Sequence, residues 1–120
     1  MDDFEKISVD GVIVIAVNLT RSTVNEANAF RKIAEEEINS GHTKLVIDLS
    51  KCDYIDSTFF GVVVLALQKM IVIGGKLKVV ETVSPKEDIF TTTNTLGLFD
   101  LYKTREEAIK SFDKDIQPES

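Results

Sequence analysis

The sequence predicts a single α/β domain with a mixed, mainly parallel sheet of four to five strands and about four helices. At 120 residues the chain has the size of one domain, and its 43% hydrophobic content supplies the side chains of one core. Runs typical of strands alternate with stretches of helical periodicity, an order that gives parallel strands joined by right-handed crossovers. Because no linker or repeat divides the chain, we expect the domain to cover residues 1–112 and residues 113–120 to form a flexible tail.

A β-hairpin is predicted at the start of the chain. Phe4 to Val9 alternates apolar and polar residues, and Val12 to Val17 is rich in β-branched residues. Asp10-Gly11 between them is a two-residue turn signal. We expect the opening strand of this hairpin to lie at or near an edge of the sheet.

An amphipathic helix and a buried strand follow. Thr23 and Glu26 fit the capping-box pattern, and apolar residues then recur at helical spacing until Gly41. Leu45 to Leu49 is a short apolar run, typical of a parallel strand covered by helices on both faces.

The second half of the chain repeats this alternation. An apolar helix is predicted after Asp56, and Gly74-Gly75 ends it. The remaining elements are a strand, a short helix, a last strand and a final helix, predicted at residues 77–81, 85–92, 98–102 and 105–112.

Charge and composition exclude several classes of function. The net charge of −6 has the wrong sign for binding the phosphate backbone of nucleic acids. Cys52 and His42 are the only residues of their types, so the sequence predicts no disulfide and no Cys/His metal site. We also expect no cofactor. No motif joins either residue or Ser57 to a nucleophile–base pair, so we expect no catalytic residues and no enzyme activity.

The location of the protein is also constrained. The acidic N-terminus lacks the basic and apolar layout of a secretory signal. Phe59 to Ile73 is shorter than the roughly 20 apolar residues of a spanning helix, and Gln68 and Lys69 interrupt it. We therefore expect a cytoplasmic protein without membrane insertion.

The stretch DYIDSTFFG, residues 53–61, places two acids and two hydroxyls before the apolar helix. Asp56 and Ser57 are both good N-cap residues. The predicted core stripe of the helix contains Phe60, Val63, Val64, Leu67, Met70 and Ile71. The opposite face contains Thr58, Val62, Leu65, Lys69 and Val72. The hydroxyl of Ser57 is thus either a structural cap or a switch beside an apolar partner surface.

These motifs resemble a known family. D-S-T-x-F-G after an apolar strand, a helix ending K-M-I-V-I-G-G-K-L-K-V-V, and S-P before a short helix are similar to the STAS domain. More narrowly, the chain resembles the bacterial anti-sigma factor antagonists, from about Phe4 to Phe112.

The resemblance implies an anti-sigma factor antagonist that acts by partner switching. The serine after the motif aspartate, here Ser57, is then phosphorylated by an anti-sigma factor that is a serine kinase. The unphosphorylated protein binds that partner, the phosphoprotein releases it, and a serine phosphatase restores the first state. The contact surface implied for the partner consists of Asp56, Thr58, Phe59, Val62, Leu65 and Lys69.

Two positions depart from the family pattern. Phe59 stands where the family usually has a small residue, and the segment from Asn18 to Ser22 stands where it often has glycine followed by an acidic or amide residue. Because of Phe59, the alternative function is a STAS scaffold or accessory module in a signalling or lipid-transport complex, without phosphorylation.

Overall fold

The computed structural model describes residues 2–81 and 99–115. In chain order the elements are β1 (Phe4–Val9), β2 (Val12–Val17), β3 (Arg21–Ser22), α1 (Val24–Asn39), β4 (Lys44–Asp48), β5 (Tyr54–Ile55), α2 (Ser57–Val72), β6 (Lys76–Val80), β7 (Asp100–Tyr102) and α3 (Arg105–Asp115). The helix predicted at residues 85–92 lies outside the described residues, which contain three helices.

Five of the seven described strands form one sheet in the order β1-β2-β4-β6-β7. The pair β1–β2 is antiparallel, and the other neighbours are parallel. Asp10 (φ 52°) and Gly11 (φ 80°) both have the positive φ that a type I′ turn requires. The predicted α/β class, the opening hairpin and the position of β1 at an edge are confirmed.

Each face of the sheet is covered by helices. Along β4, Leu45 and Ile47 point into the core beneath α1 and α2, whereas Val46 points into a smaller cluster beneath α3. This alternation follows from the two-residue period of a strand. A strand buried on both faces is necessarily apolar almost throughout, which explains the short run that identified β4.

Polar contacts fix α3 to its face of the sheet. Arg105 Nε donates to Asp48 Oδ2 at 2.9 Å, and Lys78 Nζ donates to Ser111 Oγ at 2.7 Å. The ammonium group of Lys78 also lies 4.4 Å from the ring centroid of Phe112. These contacts compensate for burying Lys78 and Asp48.

A second, two-stranded sheet was not predicted. The segments that leave β2 and β4 pair in parallel as β3 and β5, with Arg21 opposite Tyr54 and Ser22 opposite Ile55. The Asp56 amide donates to the Ser22 carbonyl at 3.0 Å and continues this pairing. We call this pair of strands the mini-sheet. Its strand β3 leads directly into the N-terminus of α1, and its strand β5 leads into that of α2.

Within the described part of the chain, no helix has both the length and the apolar character needed to cross a bilayer. The most apolar helix, α2, has 16 residues.

Candidate partner-binding site

One carboxylate joins the N-termini of α1 and α2. Asp56 Oδ1 accepts a hydrogen bond from the Phe59 amide at 2.8 Å, which caps α2. Asp56 Oδ2 accepts from the Val24 amide at 2.8 Å, although Val24 belongs to α1. Thr23 and Glu26 complete the N-terminus of α1 with the predicted capping box. The two helices therefore begin side by side in a fixed relation.

Ser57 is the first residue of α2, and its side chain is exposed. The cap is Asp56, so the expectation that the Ser57 hydroxyl could be the structural cap is wrong. A side chain at this position lies beside the amide groups that form the positive end of the helix dipole. An exposed hydroxyl at this end is sterically open to modification.

Phe59 is directed into the core. Its side chain is 0% exposed, and its ring stacks on Phe30 with a centroid distance of 4.8 Å. Two residues along a helix correspond to a rotation of about 200°, so Ser57 and Phe59 point to opposite sides. The expectation that Phe59 contacts a partner is therefore wrong for its side chain, and its bulk does not cover the Ser57 hydroxyl.

The buried stripe of α2 differs from the predicted one. Ile71 is 63% exposed, and Phe60 and Val64 are only partly buried. The helix packs against both α1 and β6, so its buried face is centred between these two contacts. The buried residues of α2 are Phe59, Val63, Ala66, Leu67 and Met70.

The opposite face of α2 is largely exposed. Leu65 is 48% exposed and Val72 85%, although both side chains are apolar. Thr58 is also exposed, and Val62 is half-buried. This face begins next to Ser57 and extends along the helix, so a partner that contacts Ser57 can also contact Leu65.

A shallow groove separates α1 from α2. It has an apolar floor and a charged rim, and its lining residues are Arg31, Ala34, Glu35, Ile38, Val62, Leu65, Ala66 and Lys69. On the rim, Glu35 Oε1 lies 3.6 Å from Arg31 Nη1 and 3.4 Å from Lys69 Nζ. Such a surface fits an apolar side chain of a protein partner, with polar groups around it.

Neither Cys52 nor His42 belongs to this site. Cys52 is buried with its Sγ 3.3 Å from Ser22 Oγ, and desolvation raises its pKa to about 11, so the thiol stays protonated near neutral pH. His42 pairs with Glu37 at 3.2 Å, just beyond the C-terminus of α1 and at the other end of that helix from Val24. Residues 2–81 and 99–115 contain no group of three possible metal ligands.

The comparison with known proteins agrees with this architecture. A family model described as the STAS domain matches residues 3–108. The chain belongs to the STAS domain family.

Relatives of this STAS domain have names that refer to anti-sigma factor antagonists. One is a candidate anti-sigma factor antagonist, BtrV of Bordetella bronchiseptica, 28% identical over 109 residues, which cover 89% of this chain and 94% of BtrV. Another is a candidate antagonist from Thermotoga maritima, whose crystal structure matches with a TM-score of 0.74 and 27% identity over 90% of this chain and 92% of that one. The Bacillus protein SpoIIAA in its phosphorylated form matches with a TM-score of 0.70 and 17% identity, covering 91% of this chain and 98% of its own, and shows the same fold.

Two contacts at the site of this STAS domain were not predicted from the sequence. The bond from Val24 to Asp56 joins residues 32 positions apart. The guanidinium of Arg21 lies 4.5 Å from the ring centroid of Tyr54, which is a contact across the mini-sheet. A two-residue strand is too short for any periodicity, so no local signal in the sequence predicts either contact.

Proposed function

We propose that this STAS domain is an anti-sigma factor antagonist that acts by partner switching. In the unphosphorylated state it binds an anti-sigma factor that is a serine kinase, and phosphorylation at Ser57 releases it. The observation that carries the proposal is the exposed Ser57 side chain at the first position of α2, beside an exposed apolar face of the same helix. A serine phosphatase returns the protein to its binding state.

The electrostatics at Ser57 suit a reversible change of surface. A phosphate adds about −1.5 to −2 charges, which the positive end of α2 stabilises locally. The neighbouring carboxylate of Asp56 keeps capping α2, so the helix does not depend on the modified hydroxyl. The fold is therefore retained while the surface offered to the partner becomes strongly negative.

The proposed contact surface follows the exposed part of the site. It consists of Asp56, Thr58, Val62, Leu65 and Lys69, with Ser57 at its end. The charge change at Ser57 acts on this surface directly, because Thr58 is the next residue and Leu65 lies about 12 Å along the helix.

The names of the relatives support the regulatory role. An antagonist of this kind acts by binding: the kinase supplies the phosphoryl group and the phosphatase removes it, so the domain itself is not an enzyme. We place it in the cytoplasm and expect no direct contact with nucleic acid, as its net charge of −6 disfavours phosphate backbones.

The alternative of an unphosphorylated scaffold or accessory module was based on Phe59. A bulky side chain beside the acceptor would favour that alternative if it obstructed access to Ser57. Because the ring of Phe59 packs on Phe30 in the core, it does not provide this obstruction.

The proposal can be tested by intact-mass measurement. The purified protein is incubated with ATP and, one at a time, with each serine-kinase anti-sigma factor of the same organism. We expect one kinase to add a single phosphoryl group to the wild type and to Thr58→Ala, but none to Ser57→Ala. If no kinase modifies the wild type, or if Ser57→Ala gains the same mass, the proposed switch is wrong.

A further inference from the structure

Arg21 has an unusual environment on the mini-sheet. Its guanidinium lies over the ring of Tyr54, 4.5 Å from the centroid, and the two residues are cross-strand partners. Stacking on a tyrosine face restricts the orientation of the guanidinium plane while the N–H groups at its edge stay available to an acceptor. Arg21 is exposed, so this acceptor can come from another molecule.

The Arg21–Tyr54 stack lies beside the Ser57 surface. Ser22 and Ile55, the next residues of the mini-sheet, are buried, so Arg21 and Tyr54 occupy its outer face. The backbone of Asp56 continues the pairing through its hydrogen bond to Ser22, and Ser57 comes directly after Asp56. Arg21 is thus the cross-strand partner of Tyr54, which precedes Ser57 by three residues in the chain.

Arg21 forms no ion pair within the described residues. None of their carboxylates lies within 4.0 Å of its guanidinium. The other arginines differ in this respect: Arg31 pairs with Glu35 at 3.6 Å and Arg105 with Asp48 at 2.9 Å. The chain contains 20 acidic and 14 basic residues, so acidic side chains are plentiful. An oriented arginine that stacks on an aromatic ring instead is the type of residue that dominates protein interfaces.

We propose that Arg21, held by Tyr54, binds a carboxylate side chain of the anti-sigma factor and thereby contributes to partner specificity. This inference rests on the proposed function and deepens it. A carboxylate matches the two parallel donors of a guanidinium edge. Nucleic acid and anionic lipid are disfavoured as the source of the acceptor, because the net charge of −6 repels extended arrays of phosphate.

Calorimetric titration tests the inference, with the kinase identified by mass measurement as the binding probe. Arg21→Glu should weaken binding at least about tenfold, since it places two carboxylates against each other. Arg21→Lys retains the charge but loses the planar pair of donors, so we expect a smaller loss of about threefold to tenfold. Lys110→Glu is the matched control: it makes the same charge change at an exposed position of α3, on the other side of the sheet, and should stay within about twofold of the wild type.

The dependence on salt separates a charge contact from a general loss of packing. Raising the ionic strength should weaken wild-type binding more steeply than binding of Arg21→Gln, because only the wild type makes the screened contact. Melting curves of all variants should coincide within a few degrees, as Arg21 is exposed.

The possible failures can be told apart. If the wild type binds and Arg21→Glu binds as tightly as Lys110→Glu does, the inference is wrong and the proposed function stands. If the wild type neither binds nor is phosphorylated by any kinase, the proposed function fails and the inference fails with it.

A second measurement tests whether Arg21 instead binds the phosphate on Ser57 of its own chain. Phosphorus NMR of the phosphoprotein gives the second pKa of that phosphate. We expect the same pKa in the wild type and Arg21→Gln; a clearly lower pKa in the wild type would assign Arg21 to the phosphate and overturn the carboxylate assignment.

Discussion

The carboxylate of Asp56 accepts a hydrogen bond from the backbone amide of Val24 at 2.8 Å, so the residue that caps α2 also binds the first amide of α1. Helix N-termini leave several amides without partners inside the helix. Here a single side chain satisfies one such amide on each helix. The position of Ser57 is fixed by this arrangement, because Ser57 follows directly after Asp56.

Removing this carboxylate should destabilise the domain. We expect Asp56→Ala to lower the free energy of unfolding by about 2–3 kcal/mol, since it removes a helix cap and a further charge-assisted bond. Asp56→Asn retains one acceptor oxygen and should lose less. Urea unfolding measures both, with Asp53→Ala at an exposed neighbouring site as control. Equal stability of Asp56→Ala and Asp53→Ala would show that the two bonds contribute nothing.

Phe59 should matter for stability and not for access to Ser57. Phe59→Ala should cost about 3–5 kcal/mol, the range found for buried phenylalanines, because it leaves a cavity beside Phe30. Phe59→Leu keeps most of the volume and should cost clearly less. The rate at which the kinase phosphorylates folded Phe59→Leu should match that of the wild type. A large increase in that rate would mean that the aromatic ring does obstruct the hydroxyl.

The thiol of Cys52 should be unreactive in the folded protein. Burial raises the pKa of its thiol to about 11, so the reactive thiolate is scarce at pH 8. Alkylation by iodoacetamide, followed by intact mass, should be slow in buffer and fast in denaturing urea. Rapid alkylation of the native protein at pH 8 would contradict this burial.

Leu65 should act in binding and not in folding. Its side chain is 48% exposed, so Leu65→Lys should leave the melting temperature within a few degrees of the wild type while weakening the complex with the kinase. Val72→Lys is the matched control, because Val72 is more exposed and lies about 22 Å along α2 from Ser57. If Leu65→Lys unfolds the protein, or if it binds the kinase with the same affinity as Val72→Lys, the opposite, exposed face of α2 is not the contact surface.

The sequence was most informative where structure depends on neighbouring residues. The turn at Asp10-Gly11 and the capping box of Thr23 and Glu26 have local signatures, and both were correctly predicted. The mini-sheet was missed because it joins segments far apart in the chain. For the same reason, no local sequence pattern predicted the contacts of Asp56 with Val24 and of Arg21 with Tyr54.

The orientation of α2 shows a second limit of sequence reasoning. From Phe59 to Leu67 every position of this helix except Gly61 is apolar, so periodicity alone does not determine which face is buried. The predicted stripe included Ile71 and omitted Phe59, whereas packing against α1 and β6 buries Phe59 and exposes Ile71. Ala66, a small residue in the middle of α2, was the available hint that another helix approaches there.

A negative charge at Ser57 should reduce partner binding without disturbing the fold. Ser57→Ala should unfold within about 0.5 kcal/mol of the wild type, since Asp56 provides the cap. Ser57→Asp should be at least as stable, because a carboxylate near the N-terminus of a helix is favourable. These two variants establish that any change in binding comes from the surface.

The most direct measurement is calorimetric titration of the kinase anti-sigma factor with unphosphorylated and Ser57-phosphorylated protein, in parallel with Ser57→Ala and Ser57→Asp. The unphosphorylated protein and Ser57→Ala should bind with similar affinity. The phosphoprotein should bind at least about tenfold more weakly, which corresponds to 1.4 kcal/mol, with Ser57→Asp in between. Equal affinities of the phosphorylated and unphosphorylated proteins, with both folded, would contradict the switch.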